Sequence, residues 1–454
     1  MKMRGELISH RILCVFCSAA LLMNVSVVSA ETPAETLQIT MEMEFPAHKV
    51  NLGDFQSPLV TYNGSIYLVW VDDQLRTRIA KKAPDGTVTT NVIFDETDPD
   101  PFHNEASVGI DRDGYIHVVG NMHNSPYGRP HNENPYYEHP WQYKVSDRPE
   151  DISAFTFVGG IPERTIPGTW ITYPFFARDR DGVLYVAFRH RVRFGTGWSP
   201  GIMAGAVARY DADSRGWQML GGTDYEHGVK TLIWNPGGVS AYQGYKVRVF
   251  FDRLNRMHVG WNVYTTRQNR GGSGATHVLY AWSDDGGRSF SKADGQPHAK
   301  LPITAAGGDV VFRSSSGDLY NLTHVGVLAD GQPATSFMSG GAKLSRWVPG
   351  DGWSSPDEFP AAFPARFVTD ARGVITAVGS GTLHRSFDGG KTWRRHPAET
   401  GSTNACIVDC PYLAQTGQLR YQAQSGGMLR VYTVRFSDGG SCDNGVGSRF
   451  RKPW

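Results

Sequence analysis

The stretch "DRDGYIHVV", residues 111–119, decides the fold, because it joins a tight turn to a strand of alternating apolar residues. Similar stretches recur along the chain: "YNGSIYLVW", "DRDGVLYVAF", "DRLNRMHVGW", "SSSGDLYNL", "DARGVITAV" and "QSGGMLRVYTV". Their turns lie at Gly64, Gly114, Gly182, Asn255, Gly317, Gly373 and Gly427. Seven occurrences with almost no helical periodicity between them predict an all-β chain of seven similar units.

Units of about sixty residues are typical of a seven-bladed β-propeller, in which each unit forms one four-stranded blade. The segment "LQITMEMEF", residues 37–45, also alternates, and it is predicted to pair with "MLRVYTVRF" in the last blade and so close the ring. "SDDGGRSF" and "SFDGGKTW" are Asp-box turns, in which Phe290 and Trp393 are expected to anchor the turn in the core. The competing architecture is a pair of β-sandwich domains, which leaves the seven similar turns unexplained.

The first thirty residues have the anatomy of a secretory signal. Lys2, Arg4 and Arg11 precede or begin the apolar run that leads to "VSA", with an expected cleavage after Ala30. An uncleaved anchor is the alternative. We expect a signal peptide at 1–30, one propeller domain over 31–454, and export to the extracellular space or periplasm.

Composition limits the class of partner. The formal net charge is +1, so no global field favours a polyanion, and neither a nucleic acid nor a membrane is an expected partner. A monomer is expected. After cleavage Cys406, Cys410 and Cys442 remain, and we expect one disulfide and one free thiol rather than a zinc site.

Candidate functional residues flank the turns symmetrically. His103 and His123 each lie ten residues from Asp113, so hairpin pairing places them opposite one another at the open end. Both are followed by asparagine, and Asn124 is grouped with them as a substrate-binding candidate.

The next unit repeats this arrangement. Tyr173 and Arg189 each lie eight residues from Asp181, and Tyr245 precedes the fourth unit's turn position by nine. Consecutive blades are therefore predicted to present these side chains at one rim of the ring. For each residue taken alone, a surface or packing role is the alternative.

Other histidines are assigned differently. His117 and His258 lie inside alternating strands and are predicted to be structural, and His190 is expected to face away from Arg189. For His131 and His139, in a Pro/His/Asn-rich loop, the choice between shaping a cleft and binding a metal stays open.

These side chains favour one chemistry. A glycoside hydrolase needs two carboxylates flanking the bond, and a sialidase needs a cluster of arginines with a tyrosine. Only one arginine and no carboxylate pair stand out at this rim. Elimination from a uronic acid fits better, because it needs a cation at the carboxylate, a base for the C5 proton and an acid for the departing O4.

The stretches "HNEASVGIDRDGYIHVVGNMHN", "TYPFFARDRDGVLYVAFRHR" and "HVLYAWSDDGGRSF" resemble the BNR-repeat-containing seven-bladed propellers, most of all the ulvan lyases of polysaccharide lyase family 25. The resemblance covers about Gln56 to Leu301 and continues more weakly to the end. It implies a secreted enzyme that cleaves ulvan, a sulfated polymer of rhamnose 3-sulfate and uronic acid. The basic run "RHRVR" is a plausible local attraction for such a chain.

Roles carried over by motif make His103 and Tyr173 the proton-transferring pair. His123 and Arg189 would bind and neutralise the uronate carboxylate, and Tyr245 would line the same canyon. Some related lyases carry a structural zinc, but no full ligand set is matched here, so no cofactor is assigned. Two alternatives stay open: a sialidase-like or other glycoside hydrolase, and a non-catalytic carbohydrate-binding propeller.

Overall fold

In the computed structural model the chain forms a seven-bladed β-propeller. The residues that the structure describes are 37–100, 103–123, 142–168, 171–193, 202–222, 230–234, 242–264, 275–314, 318–361, 365–379, 381–396 and 407–436. The predicted fold class is confirmed. The alternative of two β-sandwich domains is not what the chain forms.

The blades follow one another along the chain, each an antiparallel sheet. Blade 1 contains β2 (Leu59–Tyr62), β3 (Ser65–Val71), β4 (Thr77–Lys82) and β5 (Val88–Phe94). Blade 2 contains β6 (Ser107–Ile110), β7 (Ile116–Val119), β8 (Tyr143–Ser146) and β9 (Phe155–Phe157). Blade 3 contains β10 (Thr172–Arg178), β11 (Leu184–Arg193), β12 (Ile202–Asp211) and β13 (Gly216–Met219). Blade 4 contains β14 (Tyr242–Phe251), β15 (Met257–Tyr264), β16 (Ala275–Ser283) and β17 (Asp309–Arg313). Blade 5 contains β18 (Leu319–Val327), β19 (Pro333–Ser339), β20 (Ala342–Val348), β21 (Gly352–Trp353) and β22 (Asp357–Glu358).

Blade 6 contains β23 (Arg366–Thr369), β24 (Ile375–Gly379), β25 (Thr382–Ser386) and β26 (Arg394–His396). Blade 7 contains β27 (Ile407–Val408), β28 (Leu419–Ser425), β29 (Met428–Phe436) and, as its outermost strand, β1 (Leu37–Pro46). Strand β1 pairs antiparallel with β29, from Leu37 opposite Phe436 to Pro46 opposite Met428. The predicted closure of the ring by the first strand is confirmed.

The apolar core is divided among the blade interfaces. Each of the seven buried clusters among the described residues joins two neighbouring blades, and the cluster of Met43, Leu429, Leu59 and Leu68 joins the last blade to the first. A sheet can carry apolar side chains on both faces only where other parts of the protein cover both faces. Every blade inside a ring meets this condition, because a neighbouring blade packs against each of its faces. The repeat therefore stabilises itself by packing each unit on the next.

In the described residues two short helices accompany the strands: a 3-10 helix at Lys49–Leu52 and α1 at Cys410–Thr416. No helix in the described part of the chain is long and apolar enough to cross a membrane. Cys410 is a buried free thiol, whereas Cys406 and Cys442 lie outside the described residues, so the expected disulfide stays a prediction. The predicted signal peptide also lies outside them.

The first strands of neighbouring blades contact one another and form the inner wall of the ring. All of them run in the same direction, so their first residues share one rim. The segment at 53–56 lies across this inner wall. Gln56 donates to the His103 carbonyl of blade 2, and Arg248 of blade 4 and Arg366 of blade 6 both donate to the Asp54 carbonyl.

Candidate active site

The histidine pair lies at this rim, where blade 2 begins. His103 precedes β6 and His123 follows β7, and their rings stack with centroids 4.3 Å apart. The Asn104 side chain holds the backbone of His123 beside that of His103, because it donates to the His123 carbonyl at 2.8 Å and accepts from the His123 N–H at 2.7 Å. The structure thus brings the two histidines together, as their equal spacing from Asp113 predicts.

One carboxylate holds both imidazoles. The Nδ1 atom of His103 lies 3.1 Å from one Asp100 oxygen, and the Nδ1 atom of His123 lies 2.6 Å from the other. Burial opposes ionisation of Asp100, but the hydrogen bonds from His123 and His103 outweigh it and lower its pKa. We therefore assign the proton of each ring to Nδ1, which leaves a lone pair on each Nε2.

His123 is held in its neutral form. Burial, together with the positive charge of Arg189, lowers the pKa of His123 to about 3. Its imidazole is therefore uncharged at neutral pH. The cation of this site is Arg189.

Tyr173 occupies a β-bulge at the start of blade 3. Strands β10 and β11 pair regularly from Phe175 opposite Ala187, but the register then shifts, and Thr172 rather than Tyr173 lies opposite Arg189. The backbone of Tyr173 has φ of +60°, a left-handed conformation that costs roughly 1–2 kcal/mol for a residue with a side chain. Bulges of this kind re-aim side chains next to active sites.

Arg189 lies over this tyrosine. Its guanidinium carbon is 4.5 Å from the Tyr173 ring centroid and 5.5 Å from that of Tyr245, and its Nε donates to the Thr172 hydroxyl at 2.8 Å. Tyr173 and Arg189 are buried, with 4% and 6% of their surface exposed. The side chains of His103 and His123 keep 30% and 17%, so solvent reaches the site mainly at the imidazoles.

Phe55 forms the floor of the site. Its ring stacks on Tyr173 at 4.3 Å and lies 5.8 Å from His103 and 5.9 Å from Tyr245. The residue before it, Asp54, is fixed by a buried ion pair with Lys246, whose Nζ lies 2.6 Å from one carboxylate oxygen.

Neighbouring cations keep the Asp54 carboxylate ionised. Burial raises the pKa of Asp54, but Lys246, Arg248 and Arg366 outweigh it and lower that pKa. The backbone of Lys246 is itself left-handed, with φ of +53°, at a second irregularity, in β14.

Tyr245 also contacts the site. Its ring lies 5.7 Å from that of Tyr173, edge to face, and 4.3 Å from that of Tyr264. The five residues His103, His123, Tyr173, Arg189 and Tyr245 thus form one connected cluster, in which each of the other four contacts Tyr173. Asn124, His131 and His139 lie outside the described residues.

Three histidines outside the site, His117, His258 and His190, lie where the sequence predicts them. His117 and His258 are buried in matching networks, each with Nδ1 2.6 Å from a tyrosine hydroxyl and Nε2 3.3 Å from an aspartate. His190 is buried beside Phe188, away from Arg189, and neither ring nitrogen has a hydrogen-bond partner among the described residues. Burial lowers the pKa of His190 to about 3.

Three residues were missed by the reasoning from sequence. Asp100 stands three positions before His103, close enough to have been noticed as a carboxylate partner. Tyr264 lies ten residues after Leu254, the turn position of the fourth unit, just as His123 lies ten residues after Asp113, the turn position of its own unit. For Phe55 the sequence carries no signal, because its place follows from the path of the chain across the ring.

A metal has one candidate place. Within the described part of the chain, one group of three histidine, cysteine or acidic side chains has its ligand atoms within 4.8 Å of one another: Asp100, His103 and His123. A carboxylate and two imidazoles are donors that zinc accepts.

Known proteins match this chain in part. The model of a family described as BNR repeat-containing matches residues 65–343, more than half of the chain. No curated protein matches. Among solved structures, a polysaccharide lyase of family PL25, an ulvan lyase bound to -[GlcA(1-4)Rha3S]-, is 16% identical with a TM-score of 0.58, and the match covers 85% of this chain and 94% of that one.

The polysaccharide lyase Uly1 is similar at 15% identity and a TM-score of 0.58, over 84% of this chain and 89% of its own. Likeness at such identities shows the shared propeller fold. Together with the family match, which runs from the second strand of blade 1 into blade 5, it agrees with the resemblance that the sequence motifs carry. The chain belongs to the BNR repeat-containing family.

Proposed function

We propose that the protein is a secreted polysaccharide lyase that acts on ulvan, cleaving the linkage between rhamnose 3-sulfate and uronic acid by β-elimination. The observation that carries the proposal is the His103–Asp100–His123 cluster facing Tyr173 beneath Arg189. It offers a base, an acid and a cation within one site.

The base is assigned to His103. Its Nδ1 proton is engaged by Asp100, so Nε2 can accept the C5 proton of the uronate. The electron pair of the C5–H bond becomes the C4–C5 double bond, and the C4–O4 bond breaks. Tyr173 donates its hydroxyl proton to O4, which leaves a new chain end and a 4,5-unsaturated uronate.

Arg189 stabilises the charge that develops on the carboxylate during proton removal. Its bond to Thr172 and its position over two tyrosine rings keep the guanidinium oriented. His123, neutral at working pH, contributes as a substrate-binding acceptor rather than as a second cation. Tyr245 lines the site beside Tyr173, and Asn124 is proposed to bind substrate next to His123.

The alternatives are less well supported. A glycoside hydrolase needs two available carboxylates, whereas both oxygens of Asp100 are engaged by histidines. A sugar-binding propeller without catalysis would have no need of a carboxylate that orients two imidazoles.

The test is ultraviolet absorbance of residues 31–454, the proposed mature monomer, mixed with purified ulvan. A rise from the conjugated unsaturated uronate is expected in the wild type and not in His103→Ala at equal folded concentration. New reducing ends without the absorbance would identify a hydrolase. Neither signal, with binding retained, would identify a binding propeller.

Secretion rests on the signal sequence alone. We propose cleavage after Ala30, with the mature chain starting at Glu31. N-terminal sequencing of the protein recovered from the medium or periplasm checks it, and an intact Met1 would contradict it.

A further inference from the structure

Buried cations surround the segment at 53–56 in the centre of the ring. Lys246 and Arg248 come from β14 of blade 4 and Arg366 from β23 of blade 6, which are first strands of their blades and so belong to the inner wall. These three residues are 1%, 1% and 2% exposed. The carboxylate of Asp54 is already paired with Lys246. The two arginines therefore lie beside an acid that has another partner.

Both arginines direct the same edge of the guanidinium to one backbone oxygen. Arg248 donates from Nη2 to the Asp54 carbonyl and from Nη1 to the Phe55 carbonyl at 3.2 Å. Arg366 donates from Nη2 to the Asp54 carbonyl at 3.3 Å. The Nε atom next to each Nη2 is buried and has no hydrogen-bond partner among the described residues. Since Nε and Nη2 form an edge with which arginine holds an anion, two anion-binding edges meet at the Asp54 carbonyl.

The acids of this cluster compensate its positive charge incompletely. Glu105, which precedes β6 of blade 2, accepts from Gln422 at 3.2 Å, and burial raises its pKa well above the ordinary value. A neutral Glu105 adds no countercharge, and an ionised one compensates only one of the two arginines. Burial lowers the pKa of Arg248 to about 9, because the charge of Arg366 adds to this effect and Asp54 only partly opposes it. A buried cation without a full countercharge is costly, so a small anion stabilises the cluster.

We propose that Arg248 and Arg366 bind one monovalent inorganic anion of the size of chloride at the centre of the ring, through the two Nε–H groups beside the Asp54 carbonyl. A small ion is the class that fits, because both arginines and Glu105 are fully buried. The anion joins blades 4 and 6 to the segment that carries Phe55, the floor of the candidate active site. Its binding does not depend on which reaction the protein catalyses.

Bromide is the probe for the first test, because it replaces chloride and its anomalous scattering of X-rays identifies it. Crystals of the wild-type protein grown in sodium bromide are expected to show an anomalous peak within hydrogen-bond distance of the Nε atoms of Arg248 and Arg366. An ordered water at that place, with no anomalous signal, overturns the proposal. Bromide peaks confined to the protein surface overturn it as well.

Melting temperatures test the same site in solution. Tm is measured in sodium bromide and in sodium gluconate, whose anion is too large for the site, at equal ionic strength. General salt effects act on every variant alike, so the bromide-minus-gluconate difference in Tm is compared between proteins. It is expected to be about 2–5 °C larger in the wild type than in Arg366→Gln, because bromide at about 100 times its Kd stabilises only a folded state that binds it.

Arg395→Gln is the matched control, since Arg395 is an exposed arginine of the same blade, and it is expected to keep the wild-type difference. The same difference in wild type and Arg366→Gln overturns the site. If Arg366→Gln does not fold, the bromide density of the wild type decides. Neither readout uses turnover, so failure of the anion site is distinguishable from failure of the elimination reaction.

Discussion

The imidazole rings of His103 and His123 stack 4.3 Å apart at an interplanar angle of 18° and contact different oxygens of the same carboxylate. This relationship makes Asp100 the residue that sets the tautomer of both rings. It also separates charge from proton transfer, since the lowered pKa of His123 leaves that imidazole neutral and Arg189 is the cation.

Replacing Asp100 with asparagine tests this arrangement. The amide can donate as well as accept, so it no longer selects the tautomer, and kcat is expected to fall about 10- to 100-fold. Asp113→Asn, at the exposed turn of the same hairpin, is the matched control and is expected to keep full activity. Wild-type turnover by Asp100→Asn would show that the carboxylate has no part in orienting the base.

Tyr173→Phe keeps the ring between Phe55 and Arg189 but removes the hydroxyl. Loss of a positioned acid is expected to lower kcat by about 10²–10⁴-fold with little change in Tm. Tyr245→Phe, the neighbouring tyrosine, should keep kcat within a few-fold. Similar losses in both variants would argue against a specific role for the Tyr173 proton.

Arg189→Ala is expected to lower kcat/KM by about 10²–10³-fold, because the charge developing at the carboxylate loses its cation. Arg189→Lys keeps the charge but not the Nε–H that binds Thr172, so an intermediate activity is expected. Circular dichroism melting establishes that both variants fold. Near-normal turnover by the alanine variant would remove Arg189 from the mechanism.

Lys246→Met breaks the buried ion pair under the site. Leaving Asp54 buried without its partner is expected to cost about 3–5 kcal/mol of unfolding free energy, measured by denaturant titration. The double variant Asp54→Asn with Lys246→Met should recover part of that loss, since neither charge of the Asp54–Lys246 pair then remains. Equal destabilisation by the single and double variants would show that packing, not charge, is the cause.

His190 predicts an acid sensitivity of the fold. Its pKa is about 3 when folded and about 6.5 when unfolded, so between these values the unfolded chain binds the extra proton. Stability therefore falls as pH falls through this window, by up to about 1.4 kcal/mol per pH unit from this residue. His190→Phe is expected to flatten the dependence of Tm on pH between 6.5 and 4. An unchanged slope would mean that other groups dominate.

Much of the fold was readable because its information is local and repeated. The turn at Gly114 and the alternating strand after it recur seven times, and units that cannot bury both faces alone must pack on one another. Equal spacing from a turn also predicts which residues share a rim, as it did for His103 and His123. The same count fails by one residue for Tyr173, because a bulge there gives Arg189 a different partner.

The sequence by itself determined the seven repeated units, the closure of the ring by the first strand and the rim on which the candidate catalytic residues lie. Only the tertiary structure decided that Asp100 binds both histidines, that Phe55 forms the floor and that Asp54 is fixed by blades 4 and 6. The reason is physical. Strand patterns and turns depend on neighbours along the chain, whereas Asp54 and Lys246 are 192 residues apart and meet only because the ring closes.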